Sequence, residues 1–460
     1  MTTNEYLKDK KILVMGLGLL GGGVATTRWL VKHGAKVTVT DLKTKKELAD
    51  SIKALGPAVK KIRFVLGRHT ESDFRSHQIV VVNPAVPRLS PLLKIAHQSG
   101  AALENEASLF FRFCQNPAIG VTGTKGKTTT ANWIYHFLKQ KYPRSVLAGN
   151  SSENPMLKAL DKLDGVSPVV VELSSWHLEL LTKSERAPHI AIITNIYPDH
   201  LNRYENITEY ALAKANIFKH QTGEDFLILN KKNKWTQLFL KQSASWRTKS
   251  QTLFIPYPIF PFSPPFIHFG DHNLQNLLTA ALAANLAGVS WNSIKKAART
   301  LPQIKFREEV IYQKNGLTVV NDTTATSPDA TIAALTRFTN HRYQGQTLIL
   351  IAGGTDKNLE FDDWARAVKK FITPDNLFLL EGSATARMLD SLNRIGYFKK
   401  TMPRLYLNFN VLLTSGLKHA KMIKSKKILL FSPGAASFEK FKNEFDRGNQ
   451  FNKFFLKERR

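Results

Sequence analysis

Short aliphatic and β-branched runs, separated by longer amphipathic stretches, recur along the whole chain, and this alternation limits the possible fold more than any other feature. It is the pattern of an α/β protein with mainly parallel sheets. The runs fall at Ile12–Met15, Lys36–Thr40, Ile79–Val82, Ala118–Thr122, Pro168–Leu173, Ile190–Asn195, Asp225–Leu229, Leu317–Asn321, Thr347–Ala352, Asn376–Leu380 and Lys427–Phe431. With 460 residues the chain is long enough for several cores. Three domains are expected: 1–112, opening on a glycine turn; 113–304, opening on a glycine loop that carries lysines; and 305–460, with a third series of strands. Pro256–Gly270, "PYPIFPFSPPFIHFG", is read as strand or loop at a domain edge, because prolines break helices.

Each of the first two glycine segments directly follows a predicted strand. Gly16, Gly18 and Gly21 have G-x-G-x-x-G spacing, with Asp41 at the end of the next strand, the fingerprint of a Rossmann-like turn that lets a backbone approach a phosphate. Taken alone it fits any phosphate-bearing ligand, or glycines kept for close helix–sheet packing. The second segment, "GVTGTKGKTTT" (Gly120–Thr130), lacks the G-x-x-x-x-G-K-[ST] spacing, since Val121 stands where that pattern needs glycine. The chemistry of a phosphate loop is still present. Gly123 and Gly126 allow N–H groups to turn inward, Lys127 supplies a cation, and the Thr128 hydroxyl can ligate Mg²⁺. Further on, "VVVELSSWHLE" ends a strand in Glu172, "TNIYPDHLNRY" brings Asp199 and His200 past the next strand, and "EYALAKANIF" puts Lys214 on a helix. Functional groups that follow strand ends on one side of a parallel sheet lie where such folds build their sites.

Composition adds one pointed fact, a formal charge of +29 from 65 Lys and Arg against 36 Asp and Glu. Such a balance attracts polyanions. The basic residues are dispersed, and no interleaved aromatic stripe accompanies them, so no nucleic-acid partner is expected. The N-terminal "KDKKILVMGLGLLGGGVA" starts basic and apolar, but five glycines interrupt it and the strand-like "AKVTVTD" follows, so it is read as strand and turn. No apolar run approaches the roughly 18 residues of a membrane span. One cysteine, Cys114, suits a reducing compartment, and a cytoplasmic protein without membrane insertion is expected.

The loop Thr122–Thr128, "TGTKGKT", resembles the phosphate loop of the Mur ligase family, which has the form T-G-[TS]-x-G-K-[ST]. "ELSSWHLE" (Glu172–Glu179), "DHLNRY" (Asp199–Tyr204), "GDHNLQN" (Gly270–Asn276), "NDTTATSPDA" (Asn321–Ala330), "AGGTDK" (Ala352–Lys357) and "SPGAASFEKFKNEFDRGNQF" (Ser432–Phe451) follow in the family's order. The last three are most similar to the member that adds D-glutamate.

The resemblance implies three domains: a Rossmann-like N-terminal domain that binds a UDP-sugar, a central P-loop-like ATPase domain, and a Rossmann-like C-terminal domain that binds the amino acid. It implies a monomer using ATP and two Mg²⁺ ions to join D-glutamate to UDP-N-acetylmuramoyl-L-alanine through an acyl phosphate. Gly123, Thr124, Lys125, Gly126, Lys127, Thr128, Thr129, Asn276, Arg307 and Asp322 would contact ATP, with Lys127, His200 and Lys214 catalytic. Thr128 and Glu172 would hold one Mg²⁺, and His200 with a carbamylated Lys214 the other. Leu19, Leu20, Asp41, Lys43, Asn83, Asn150 and Ser174 would meet the UDP-sugar; Thr326, Lys357, Ser437 and Phe445 would meet D-glutamate.

The chain departs from the family pattern in places. Thr324 stands where a lysine is usual and Phe306 where a histidine is, and Lys125 or Lys305 could restore the missing cation. Two other activities fit parts of the sequence: a Mur-type or folylpolyglutamate synthase-like ligase for another amino acid, and a basic ATPase that binds nucleic acid.

Overall fold

The computed structural model describes residues 3–457 except 20, 150–153, 182–185, 200–202, 257–269 and 399–402. Leu20, Asn150 and His200, and all of the proline-rich stretch but its ends, therefore lie outside the described residues. The chain forms two compact units, Met1–Pro264 with Gln275–Leu301, and Pro265–Leu274 with Pro302–Arg460.

The first unit holds two wholly parallel sheets. One contains β1 (Lys11–Met15), β2 (Lys36–Asp41), β3 (Ile62–Leu66), β4 (Ile79–Val82) and β5 (Ala102–Glu104), in the order β3-β2-β1-β4-β5. The other contains β6 (Ala118–Thr122), β7 (Val146–Gly149), β8 (Val169–Glu172), β9 (Ile190–Ile193), β10 (Phe226–Asn230) and β11 (Gln251–Ile255), in the order β11-β10-β9-β6-β8-β7. Inner strands such as β6 and β9 are buried at every position, as expected where helices cover both faces of a sheet. In each sheet the strand order reverses beside the first strand, which opens a crevice at the C-terminal ends of β1 and of β6. The two glycine segments emerge at these points.

Asn105 ties the two sheets together within this unit. Its side chain caps the helix Glu106–Phe113, accepting from Ser108 N at 2.9 Å, and its Nδ2 donates to the carbonyls of Trp176 and His177 at 3.2 and 3.0 Å. One continuous apolar core runs beneath, from Leu7 and Trp29 through Phe110 and Met156 to Phe239.

The second unit has one sheet, β12 (Glu309–Lys314), β13 (Leu317–Asn321), β14 (Thr347–Gly353), β15 (Leu377–Leu380), β16 (Arg404–Tyr406) and β17 (Lys427–Phe431), ordered β12-β13-β17-β14-β15-β16. Only β12 runs antiparallel, joined to β13 as a hairpin at the edge. The α/β class with mainly parallel sheets is thus as expected. Among the described residues no helix is long and apolar enough to cross a membrane, and Cys114 is a buried free thiol.

Candidate active site

The glycine turn after β1 is held in shape by Asp41. Gly16, Gly18 and Gly21 have φ values of +94°, +65° and +89°, where a side chain would be strained. The Asp41 carboxylate accepts from Leu17 N at 2.9 Å, Gly18 N at 3.1 Å and Lys43 N at 2.9 Å. Its oxygens are thus engaged by the turn itself. Asn83, at the end of β4, donates from Nδ2 to Gly16 O at 3.1 Å, and Leu19 and Lys43 stand exposed at the rim.

The loop after β6 is fixed by the end of β9. Thr124 N donates to Asn195 O and Lys125 N to Asn195 Oδ1, each at 2.9 Å, while Thr194 Oγ1 donates to Lys125 O at 2.6 Å. Gly126, with φ +83°, is the N-cap of the helix Lys127–Leu138 and brings no side chain to cap it. A helix start of this kind favours anions through its dipole and its first N–H groups. Asn276 packs against the loop: its Oδ1 accepts from Thr130 Oγ1 at 3.3 Å and lies 2.4 Å from where a Cβ on Gly126 would be. Lys127 Nζ donates to Gly123 O and Thr124 O at 3.1 and 3.0 Å, within the loop where the charge of a polyphosphate would enter. Thr128 and Thr129 form the first turn behind it.

Lys214 shares this end of the sheet. It is 1% exposed, its Nζ lies 3.4 Å from Thr122 Oγ1, and it sits over the Tyr210 ring. Burial, and then the charge of Lys127, hold its ammonium well below the usual lysine range, against the opposing pull of Asp199 and Glu172. An enclosed cation with a depressed affinity for protons is a lysine poised to react as a neutral amine. Lys125 also leans on Asp199, at 3.7 Å. The Glu172 carboxylate and the Thr128 hydroxyl are hard oxygen donors suited to Mg²⁺, which takes one or two carboxylates and keeps several waters. No group of three His, Cys, Asp or Glu that could hold a metal ion lies among the described residues. Ser174 follows β8 and caps the short helix Ser175–Glu179, accepting from His177 N at 3.3 Å.

In the second unit, Asp322 directly follows β13 and is buried, accepting from Glu308 N at 3.1 Å and from Ser432 Oγ at 2.8 Å. Burial, and then the Glu308 charge, raise its carboxyl above the usual range. Arg307, half-buried, directly precedes Glu308 in the sequence. Lys357 Nζ lies 3.5 Å from Thr326 Oγ1, and Ser437 is 2% exposed with a hydroxyl that has no hydrogen-bond partner among the described residues. Phe445 is largely exposed, 6.3 Å from the Phe306 ring. The two departures from the family pattern meet here, since Thr324 Oγ1 donates to Phe306 O at 2.8 Å, and Lys305 Nζ lies 4.7 Å from the Phe306 ring centroid.

Three residues that shape the site are not evident from the sequence. Asn195 is the last residue of a predicted strand, which was its only signal. Arg203 and Arg447 act through partners far along the chain. Arg447, fully buried, donates to Thr323 Oγ1, Thr323 O, Ala435 O and Ala436 O, and so holds the Thr323 and Ser437 loops together. Burial lowers its affinity for protons, to a pKa of about 9.

The profile of the Mur ligase middle domain matches residues 121–255, and that of the Mur ligase MurD-like N-terminal domain matches residues 10–104. The UDP-N-acetylmuramoylalanine–D-glutamate ligase of Roseiflexus sp. is 37% identical over 97% of this chain and 98% of its own. That of Borreliella afzelii is 36% identical over 98% of each, and that of Treponema pallidum 31% over 97% of each. Solved structures share the fold at low identity. The UDP-N-acetylmuramate–alanine ligase of Thermotoga maritima superposes with a TM-score of 0.60 at 18% identity, covering 98% of this chain and 100% of that one. MurF of Acinetobacter baumannii gives 0.58 at 16%, covering 94% and 90%. With phosphate loop, buried lysine and strand-end carboxylate all in the arrangement described, and relatives matched from end to end, the chain belongs to the Mur ligase family.

Proposed function

We propose that this protein is an ATP-dependent ligase that adds D-glutamate to UDP-N-acetylmuramoyl-L-alanine, in the synthesis of peptidoglycan precursors. One observation carries the proposal: a loop with two left-handed glycines and a buried Lys214 occupy the same end of one parallel sheet, at its reversal point. Phosphoryl transfer from ATP to the substrate carboxylate gives an acyl phosphate, which the amine of D-glutamate attacks to form the amide and release phosphate. Negative charge gathers at each step, so the demand is for fixed cations and donors.

Lys127 and the N–H groups of Gly123–Thr129 would hold the β- and γ-phosphates. Asn276 keeps that loop from collapsing, and Arg307 and Asp322 would contact the nucleotide. Mg²⁺ held by Thr128 and Glu172, and a second ion held by His200 and Lys214, would neutralise phosphate charge when bound. Carbamylation of Lys214 would turn a strained buried cation into an anionic oxygen ligand, which its low affinity for protons makes chemically accessible. The glycine turn with Leu19, Leu20, Asp41 and Lys43, together with Asn83, Asn150 and Ser174, would seat the UDP-sugar. Thr326, Lys357, Ser437 and Phe445 would seat D-glutamate, Lys357 pairing with a carboxylate. The division into domains at 1–112, 113–304 and 305–460 and a cytoplasmic, monomeric enzyme belong to the same proposal.

Phosphate release with ATP, Mg²⁺ and UDP-N-acetylmuramoyl-L-alanine, offering D-glutamate, L-glutamate, L-lysine or meso-diaminopimelate in turn, tests it. A signal confined to D-glutamate is expected. A signal confined to another amino acid overturns the substrate, and release stimulated by DNA or RNA without the precursor overturns the ligase.

A further inference from the structure

The excess of cations in this chain, 65 Lys and Arg against 36 Asp and Glu, exceeds what the proposed reaction uses. Part of it is concentrated on the first sheet at the end opposite the glycine turn. Lys11, which opens β1, and Lys36, which opens β2, are register partners. Val37 pairs with Ile62, so Lys61 comes next to Lys36 in the same row. Neighbouring parallel strands lie about 4.8 Å apart, and like charges set side by side at that spacing repel. All three lysines are exposed, and the acid paired with them is Asp9, 3.5 Å from Lys36. Lys60 adds a fourth ammonium.

These side chains rim a cavity of about 680 Å³. Its lining is cross-linked: Arg63 is paired with Asp73, His77 Nδ1 lies 2.6 Å from Asp73 O, and His77 Nε2 lies 3.0 Å from Thr38 Oγ1. The cavity is widely open to solvent. A nucleic-acid strand needs aromatic faces on which to stack, and the cavity lining offers none beyond the buried His77.

We propose that this cavity binds a small oligophosphate anion. A linear anion with charge on each phosphoryl unit complements a linear row of ammonium groups and relieves their mutual repulsion, whereas a single phosphate would engage only part of the row. The site is separate from the phosphate loop and does not depend on the proposed reaction.

Isothermal titration of inorganic tripolyphosphate, in Mg²⁺-free buffer at low salt, tests this. The full-length chain carries Lys127→Ala to silence the phosphate loop, with or without Lys11→Gln, Lys36→Gln and Lys61→Gln. One saturable site is expected with the three lysines, weakened at least tenfold without them, and orthophosphate should bind at least tenfold more weakly than tripolyphosphate. ATP binding as tightly as tripolyphosphate identifies the phosphate chain as the recognised part; tighter ATP binding adds a nucleoside to the ligand. Lys36→Gln alone should weaken binding severalfold, which keeps the test valid if the triple variant folds poorly. Tripolyphosphate should raise the thermal midpoint only where the lysines are intact. Equal affinity with and without the three lysines, absence of a saturable site, or tighter binding of oligouridylate through the same lysines overturns the proposal.

Discussion

Arg203 and Glu179 face each other as a two-point ion pair, Nε to Oε1 at 2.9 Å and Nη2 to Oε2 at 2.6 Å. The same guanidinium donates from Nη1 to Pro84 O and Val86 O, at 2.9 and 2.8 Å, and its Cζ lies 5.4 Å from the Trp176 ring centroid. One side chain from the second sheet therefore grips the loop that follows Asn83 on the first. Arg203→Ala should raise KM for the UDP-sugar precursor at least tenfold while lowering kcat less, and should destabilise the fold by on the order of 3 kcal/mol, because the largely enclosed Glu179 loses its counter-charge and keeps only the Tyr204 hydroxyl at 2.7 Å. Arg203→Lys should recover little of either, since an ammonium cannot span the carboxylate and two carbonyls together. Steady-state kinetics at saturating ATP and D-glutamate, with melting curves, measure both.

Gly126→Ala is expected to damage ATP use selectively. At φ +83° a side chain is strained, and its Cβ would run into Asn276 Oδ1. The loop must then shift relative to the helix start, and KM for ATP should rise at least tenfold with KM for D-glutamate unchanged. Initial rates with each substrate varied in turn decide it.

His177 predicts a stability loss in mild acid. It is buried, and burial, with Lys214 as a second cause, lowers its pKa from 6.5 to about 4. The unfolded chain therefore binds a proton between these pH values that the folded chain does not. Stability is full above pH 6.5 and falls as the pH drops toward 4, by about 3 kcal/mol in total from this group. His177→Gln keeps an acceptor near Ser174 N and should flatten that part of the curve. Urea unfolding at a series of pH values, for both proteins, checks the sign and the size.

Ser437→Ala separates binding from folding. Its buried hydroxyl has no partner among the described residues, so removing it should leave the thermal midpoint level or slightly higher. If that hydroxyl meets D-glutamate, KM for the amino acid should rise severalfold with kcat and KM for ATP little changed.

Every strand read from the sequence lies inside its sheet, and every strand that was not read lies at an edge. β3 and β5, β7 and β11, β12 and β16 are the outermost pairs of the three sheets. Inner strands are apolar at nearly every residue because both faces and both neighbours enclose them, as in "IAII" of β9. Edge strands such as "IRFVL" and "EVIYQK" are half exposed and carry polar residues that blur the pattern. The β9 run also ends at Ile193, two residues before the expected Asn195, because Thr194 and Asn195 turn away to bind the phosphate loop. The glycine segments were legible because spacing within a short window gave them away, and Lys214 was singled out through the family resemblance. Arg203 with the Pro84–Val86 loop, and Arg447 with Thr323, were not, since only the folded chain brings them together.

The position of β6 between β8 and β9 sets an order of events during translation. When the ribosome has released β6 and the loop that follows it, neither flanking strand exists, and Asn195, which fastens the loop, is still to be synthesised. In a nascent chain this loop therefore lacks its fastening until some seventy further residues have emerged, and on the proposed function the chain would not hold ATP while half made.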